Sequence, residues 1–310
     1  MTTRFGYACI NTTLAEGFGL TTNRGCIKKT FLEKGLPHIS GLALANVRDL
    51  KKVIEWNREK GVQVFRMSSD IFPWHTEYAF EQLPDIEEIS TTLREIGEIA
   101  KGSNQRLSFH PGPHNVLSSP REEVVLNSVR DLAAHGKVMD LIGLPRSPAA
   151  KINIHIGGAY GEHALALERW CRVWETLPDS VRTRITVEND DKPGMFSTRM
   201  LYEGVYKKIG VPVVFDSHHF ECGPQDSTYE EAFLMAAESW PLGVRQQCHH
   251  TNSRRDWEDP TAGKVDHSDF YYTPFLDCGK SVDVVLECKK KEVALAKYLN
   301  DFQKTTTIAA

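Results

Sequence analysis

The chain of 310 residues lacks the features that mark several protein classes. Its seven cysteines are scattered and never form C-x-x-C, which argues against a disulfide framework or a zinc ribbon and favours reduced thiols. No apolar run approaches the roughly 18 residues that span a bilayer, and the stretch MTTRFGYACINTTL lacks the apolar core of a signal peptide. We therefore expect a cytoplasmic, nucleoid or nuclear protein that is neither secreted nor bound to a membrane.

An excess of positive charge is also missing. The formal net charge is −4, so the composition does not indicate a nucleic-acid partner for the chain as a whole. Such a partner would need bound metal ions or local basic groups, although solvated surface charge is the more common role of these groups. The local basic groups are Arg245, Arg254, Arg255, Lys264 and Lys289–Lys291.

Short apolar runs recur at regular intervals along the chain. Eight of them lie near residues 4–8, 62–67, 106–110, 151–156, 184–188, 211–216, 244–249 and 282–287. Most are typical of strands buried on both faces, and the seventh run is the weakest of the predicted strands. Segments with helical periodicity separate them, near residues 44–60, 86–99, 125–132, 165–174, 197–209, 226–240 and 289–302.

This alternation of strands and helices predicts a (β/α)₈ barrel, also called a TIM barrel. A doubly wound open sheet is the alternative, but the first predicted strand is not followed by the glycine-rich turn G-x-G-x-x-G. The chain shows no low-complexity linker and no internal repeat. We expect one barrel domain over residues 1–303 and a flexible tail at residues 304–310.

Every predicted strand ends in a polar residue. In barrels of this kind the catalytic side chains come from the C-terminal ends of the strands. Six of the eight ends hold residue types that bind metals, whereas ordinary loop starts would use Ser, Asn, Gly, Lys and Thr as often. The residues at these ends are Tyr7, Arg66, His110, His155, Glu188, Asp216, His249 or His250, and Glu287.

Further candidate ligands lie beside these strand ends. The pair His218-His219 follows the sixth strand, and D-H-S-D at 266–269 precedes the last. Mixed imidazole and carboxylate ligands suit Mn²⁺ or Zn²⁺, and their number suggests two or three ions. Clustered ions suit phosphodiester hydrolysis, because one activates water while others stabilise the attacking and leaving oxygens. The bridging and catalytic candidates are Glu188, Asp216 and Glu287. Single histidines are more often structural, which leaves out His38, His75, His135 and His163.

A series of motifs extends this reading over roughly residues 4–300. In chain order they are RFGYACIN, Asn23-Arg24, FRMSSDIFPW, SFHPGPHNVLSSP, NIHIGGAYG, TVENDD, VVFDSHH, DHSDF and LECKKKE. The ordered series resembles the UV damage endonuclease family, which are metal-dependent barrel enzymes related to endonuclease IV. A sugar isomerase of the same fold would share a few histidines and carboxylates but not this series.

The resemblance implies an activity, a cofactor and a site. The family cuts DNA on the 5′ side of a lesion, leaves a 3′-hydroxyl and uses divalent metals, typically manganese. The metal ligands matched by position are His110, His155, Glu188, Asp216, His219, His250, His267 and Glu287, with Glu188 bridging two ions. The DNA contacts that we predict are Tyr7, Asn11, Arg66, Trp74, Pro113, His114 and Lys289, with Trp257 as a further stacking candidate. The expected partner is damaged double-stranded DNA, bound by a monomer.

One departure from the family pattern concerns lesion recognition. The family often places Gln-Tyr after the H-P-G stretch as a wedge, whereas this chain has Pro113 and His114. His114 can still stack on a base. A protein that binds damaged DNA without cutting it is therefore one alternative, and a metal-dependent sugar isomerase or epimerase is the other.

A second departure lies near the seventh strand. The family often has a lysine two residues before the histidine ligand, and this position is Cys248 if the ligand is His250, or Gln247 if it is His249. The spacing to the following polar residues favours His250. We expect Cys248 to be a buried, inert thiol.

Overall fold

Eight parallel strands form a ring in the computed structural model, which describes residues 3–303. Neighbouring strands follow the order β3-β2-β1-β8-β7-β6-β5-β4, and a bridge between Phe109 and Ile152 closes the ring between β3 and β4. The strands are β1 Arg4–Ala8, β2 Val64–Arg66, β3 Arg106–Ser108, β4 Ile152–Ile154, β5 Ile185–Glu188, β6 Val213–Asp216, β7 Gln247–His250 and β8 Asp283–Leu286. The predicted (β/α)₈ barrel is confirmed, while the tail predicted at 304–310 lies outside the described residues.

Helices separate the strands along the chain. They are α1 Thr12–Phe18, α2 Lys28–Glu59, α3 Ile86–Gly102, α4 Glu122–Ile142, α5 His163–Trp174, α6 Asp179–Arg182, α7 Thr198–Leu201, α8 Lys207–Ile209, α9 Ser217–Cys222, α10 Tyr229–Glu238, α11 Arg254–Trp257 and α12 Lys291–Tyr298. A π-helical turn at Tyr202–Tyr206 joins α7 to α8, and another at Leu299–Gln303 follows α12. Among residues 3–303, no helix is long and apolar enough to cross a bilayer.

The long helix α2 is two helices joined at a break. Gly35 has φ 64° and ψ −162°, a backbone conformation that a residue with a Cβ rarely adopts. Pro37 then begins the second part, where its missing N–H leaves no helical hydrogen bond unmade. The second part buries Ile39, Ala43 and Val47 in the main hydrophobic core. The helix predicted near residues 44–60 therefore starts earlier than its sequence pattern indicated.

Seven of the predicted strands contain an observed strand, and the weakest one overlaps its observed strand. Strand β7 covers Gln247–His250 and so lies slightly later than the predicted run at 244–249. Gly6 sets the close approach of β1 to β2, because a Cβ at this position would lie 1.6 Å from the carbonyl oxygen of Val64. A side chain at position 6 would therefore force these two neighbouring strands apart.

Candidate metal centre

Histidines and carboxylates converge at the C-terminal ends of the strands, around Glu188. This residue ends β5 and is fully buried. Its Oε2 lies 2.9 Å from Nε2 of His110, and its Oε1 lies 2.9 Å from Nδ1 of His249. Nδ1 of His219 is 3.5 Å from Oε1, and Nε2 of His155 is 3.9 Å from Oε2. Imidazoles therefore approach both carboxylate oxygens of Glu188.

A second carboxylate, Glu287, lies directly after β8 and shares His249 with Glu188. Its Oε1 is 3.2 Å from Nδ1 of His249, and the guanidinium of Arg66 contacts the same carboxylate. Nδ1 of His267 lies 3.2 Å from the backbone oxygen of Glu287. Burial raises the pKa of Glu287, but the charges of Arg66 and His249 lower it more, so this carboxylate is ionised at neutral pH.

The third carboxylate, Asp216, ends β6 and caps α9. Its Oδ1 accepts a hydrogen bond of 2.8 Å from the backbone N–H of His219. Its Oδ2 is buried and has no hydrogen-bond partner among residues 3–303. Leaving such an oxygen unpaired is unfavourable, and a bound cation would satisfy it. We call the convergent set the Glu188 cluster; it comprises His110, His155, Glu188, Asp216, His219, His249, His267 and Glu287.

The donor set of the Glu188 cluster fits divalent ions. Single donor atoms of His110, His155 and Glu188 lie within 4.8 Å of one another, and the same holds for Glu188, Asp216 and His249. Glu188 belongs to both groups, as a bridging carboxylate would. The mixture of imidazole nitrogen and carboxylate oxygen suits ions such as Mn²⁺ and Zn²⁺.

Electrostatics keep the central carboxylate charged. Burial raises the pKa of Glu188, but His249 and His110 lower it more, so the net shift is downward. Burial lowers the pKa of His110 to about 4, which leaves a neutral imidazole with a free lone pair at neutral pH. Burial also lowers the pKa of His155, but Asp190 and Glu188 raise it more, to about 9. A cation bound by the His155 imidazole would replace the proton that this ring otherwise holds.

The structure places His249, and not the favoured His250, in the Glu188 cluster. Successive residues of a strand point to opposite faces, so His250 faces the helices when His249 faces the interior. Nδ1 of His250 lies 2.7 Å from the hydroxyl of Ser217, and its ring stacks on Tyr271. The preference for His250 is therefore corrected in favour of its neighbour.

Three residues predicted to contact DNA lie in the interior. Tyr7 is fully buried, and its hydroxyl donates to Oδ1 of Asn57 over 2.7 Å and accepts from Nδ2 of Asn11 over 2.8 Å. Asn11 is also buried and caps α1. Arg66 is largely buried and contacts Glu287. The structure thus places Tyr7 and Asn11 in hydrogen bonds inside the protein and pairs Arg66 with Glu287 of the Glu188 cluster; contact of these three residues with DNA stays a prediction.

The other predicted DNA contacts lie at the surface or close to it. Pro113 and Lys289 are exposed, and the His114 side chain is 68% exposed. Trp74 is half-buried, donates from Nε1 to the carbonyl of Cys26 over 2.9 Å and stacks on Phe31. Its ring is held in one orientation, with part of its surface open to solvent.

Sequence reasoning missed two polar residues of the barrel interior, both on β4 or beside it. Nζ of Lys151 lies 2.9 Å from Nε2 of His249, and burial lowers the pKa of this amine to about 7. Asn153 donates a hydrogen bond to Glu188. The signal was the alternation K-I-N-I-H at 151–155, which puts three polar side chains on one face of a strand.

The position expected to hold a lysine is Gln247, since His249 lies in the cluster. The Gln247 side chain is buried, and neither of its polar atoms has a hydrogen-bond partner among residues 3–303. Cys248 is fully buried, and burial raises the pKa of its thiol, which keeps it protonated. The lysine next to the cluster is Lys151, which directly precedes β4, and not a residue of β7.

The catalytic side chains of (β/α)₈ barrel enzymes lie at the C-terminal pole, where this chain has buried histidines and carboxylates that could hold metal ions. The family model described as "UV-endonuclease UvdE" matches residues 3–310, and the chain belongs to this family. A further comparison with the solved structure of SacUVDE gives a TM-score of 0.85 at 25% identity, covering 97% of this chain and 98% of that one.

Curated relatives agree with this assignment. The chain is 33% identical over 307 residues to the UV-damage endonuclease of Schizosaccharomyces pombe, which covers 94% of this chain and 49% of that protein. It is 28% identical over 310 residues to the UV DNA damage endonuclease of Clostridium perfringens, covering 97% and 71%. This chain thus spans about half the length of the S. pombe relative.

Proposed function

We propose that this protein is a DNA repair endonuclease that cuts the backbone of damaged double-stranded DNA on the 5′ side of UV photoproducts. The observation that carries the proposal is the Glu188 cluster, in which three carboxylates and five imidazoles from seven parts of the barrel meet at one pole. Membership of the UvdE family supports DNA as the substrate. We propose that the protein acts as a monomer.

Divalent ions, for which we propose Mn²⁺ in two or three sites, would be held by the residues of the Glu188 cluster. When bound, such ions activate water and stabilise the charge that develops on phosphate oxygens. Glu188 would lie between two ions, while Asp216 and Glu287 balance their charge. The unpartnered Oδ2 of Asp216 supports this assignment.

Neighbouring side-chain and backbone groups orient the proposed ligands. Asn153 donates to Glu188, and the backbone oxygen of Asn189 lies 2.9 Å from Nδ1 of His219. Such contacts fix the tautomer and the ring orientation of a metal ligand. With Nδ1 of His219 donating to a carbonyl, its Nε2 keeps the lone pair that an ion requires.

Lesion recognition in this proposal depends on the surface around the metal centre. Damaged bases stack poorly, and a protein can detect the resulting ease of kinking and unstacking without reading base edges. The exposed ring of His114 takes the place of the family's wedge. Trp74 and Lys289 would add a stacking surface and a phosphate contact.

The test is nicking of a labelled duplex that carries one cyclobutane dimer, with Mn²⁺ or with EDTA, beside an undamaged duplex. We expect a cut just 5′ of the dimer that requires Mn²⁺. Equal cutting of the undamaged duplex would contradict damage recognition. An absence of cutting with either additive would contradict the endonuclease proposal, and a sugar isomerase assay would be the next measurement.

A further inference from the structure

Two large aromatic side chains are exposed together in the connection between β7 and β8. Trp257, the last residue of α11, is 49% exposed, and Tyr272 is 36% exposed. Their ring centroids lie 5.1 Å apart, and the ring planes differ by 3°. The sequence suggested Trp257 alone as a stacking candidate, and the metal centre does not account for its pairing with Tyr272. We propose that the Trp257–Tyr272 pair is a platform on which an unstacked base of the DNA substrate lies, a proposal that rests on the proposed function.

The pair is held in place by Glu258. Its Oε1 accepts a hydrogen bond of 2.9 Å from the hydroxyl of Tyr272 and one of 2.7 Å from the backbone N–H of Asp269. The backbone N–H of Phe270 donates to the same oxygen over 3.2 Å. Because Glu258 follows Trp257 directly, these bonds tie both rings to one loop. A base would therefore meet an ordered surface, and little conformational entropy would be lost on binding.

The platform is attached to the metal centre by short connections. A bridge pairs Ser253 with His267, which belongs to the Glu188 cluster. The backbone N–H of Arg254 donates to the carbonyl of Asp266 over 2.7 Å, and that of Lys289 donates to the carbonyl of Ser268 over 3.0 Å. The segments that carry both rings thus start within a few residues of a proposed metal ligand. A base on the platform would belong to DNA that also reaches the ions.

Charged side chains of both signs surround the platform. The loop also carries the carboxylates of Asp256, Glu258, Asp259, Asp266 and Asp269, so contacts to phosphates would have to come from the exposed cations. Exposed basic side chains lie on the same loop and on the segment bonded to it; they are Arg255, Lys264, Lys289 and Lys290. Aromatic rings flanked by cations are typical of sites that hold unpaired bases, because the rings stack on any base while the cations contact phosphates. Bases inside an intact duplex have no free face for such stacking, so the platform would select bases that have left the helix.

The experiment compares the double variant Trp257→Ala/Tyr272→Ala with the wild type in binding, with EDTA present so that no cutting occurs. The probes are a fluorescent duplex with one cyclobutane dimer, the same duplex undamaged, and an oligo(dT) single strand. We expect roughly tenfold weaker binding of the dimer duplex and of oligo(dT), and unchanged binding of the undamaged duplex. Leu242→Ala is the control, because Leu242 is fully exposed in the loop before β7, towards the opposite pole.

Two further variants separate stacking from folding. Tyr272→Phe keeps the ring and should bind the dimer duplex more tightly than Tyr272→Ala does, while Trp257→Phe should reduce the quenching of tryptophan fluorescence that we expect oligo(dT) to cause. Wild-type affinity in the double variant, or an equal loss on undamaged duplex, would overturn the platform. Nicking by the wild type is measured in parallel with Mn²⁺. A wild type that binds but never nicks would refute the endonuclease proposal, and the binding comparison would still decide on the platform.

Discussion

Two groups of histidines and carboxylates lie within residues 3–303, and they differ in how completely their carboxylate oxygens are paired. The second group centres on Asp131 of α4. Its Oδ1 lies 2.7 Å from Nε2 of His75, and its Oδ2 accepts from Nδ2 of Asn115 over 2.8 Å. Nδ1 of His75 lies 2.9 Å from the carbonyl of Phe72, and Nδ1 of His135 lies 2.8 Å from that of Asp131. One carboxylate is thus satisfied on both oxygens by groups of the protein.

In the Glu188 cluster, the protein groups that the structure describes do not pair every carboxylate oxygen. It contains three carboxylates, and one oxygen of Asp216 has no partner within the described part of the chain. Both groups contain donor atoms close enough to hold an ion. The comparison shows that residue types and spacing do not suffice to identify a metal centre. The difference lies in the carboxylate oxygens. The proposed metal centre has one that no protein group among residues 3–303 pairs, whereas both oxygens of Asp131 are used in bonds that join α4 to two loops.

The largest expected effect comes from Glu188→Gln, which removes the shared carboxylate of the first group. We expect nicking of a dimer-containing duplex to fall by about three orders of magnitude or more, since charge stabilisation at the reacting phosphate is lost. The increase in Tm on adding Mn²⁺ should also disappear. Glu203→Gln, at an exposed carboxylate, serves as the matched control. Retained nicking in Glu188→Gln would refute the bridging role.

A smaller effect is expected from His249→Gln, which should lower Mn²⁺-dependent nicking by about 100-fold, because its ring lies between two carboxylates of the cluster. His250→Gln is the neighbouring control and should keep the Mn²⁺ dependence while losing about 1 kcal/mol of stability. Nicking rates and Mn²⁺ titrations measure both. The reverse pattern would restore His250 as the ligand.

Asp131→Asn tests the second group. It leaves the buried His75 without its charged partner, so we expect a loss of about 3 kcal/mol in the free energy of unfolding. Nicking below the Tm should remain close to that of the wild type, since this group is proposed to be structural. Denaturant unfolding and nicking rates provide the two readouts. A normal stability with lost nicking would move Asp131 into the catalytic machinery.

The pH dependence of stability is the smallest expected effect. Burial lowers the pKa of His75, but Asp131 raises it more, so the net shift is upward from 6.5. The stability from this pair is therefore full below about pH 6.5 and is lost as pH rises through the raised pKa. The Tm difference between wild type and His75→Gln should narrow by roughly 2 °C from pH 6 to pH 9. A Tm difference that stays constant over this pH range would contradict the role of the pair.

The order of strands and most of the cluster could be predicted from the sequence, because both depend on local pattern. Apolar runs that end in His, Asp or Glu indicate the pole of a parallel barrel, and the structure brings His110, His155, Glu188, Asp216 and Glu287 together there. The choice between His249 and His250 depends on which alternate residues of β7 face inward. The register with β8, in which Cys248 pairs with Val284, sets which residues of β7 face inward. No local sequence pattern shows this register.

The positions of Tyr7, Asn11 and Arg66 could not be predicted for a different reason. Tyr7 and Arg66 find their partners far along the chain, at Asn57 and at Glu287, and Asn11 then bonds to the hydroxyl of the buried Tyr7. A polar residue at a strand end can turn inward or outward, and only the folded neighbours decide between the two. Trp257 could be predicted as a stacking residue because it is a tryptophan. Its contact with Tyr272 could not, because only the folded loop brings the two rings together.

The ring of strands has an uneven seam. Four residue pairs join β1 to β8, whereas β3 and β4 meet at one bridge, with hydrogen bonds of 2.9 Å from Phe109 to Lys151 and 3.0 Å from Asn153 to Phe109. His110 and His155 follow directly on either side of this seam. Amide deuterium exchange at Phe109 and Asn153 would thus report the local opening that separates the two imidazoles. An ion bound by both His110 and His155 would cross-link the two strands and slow that exchange. Release of the ion would then be coupled to local opening of the barrel between β3 and β4.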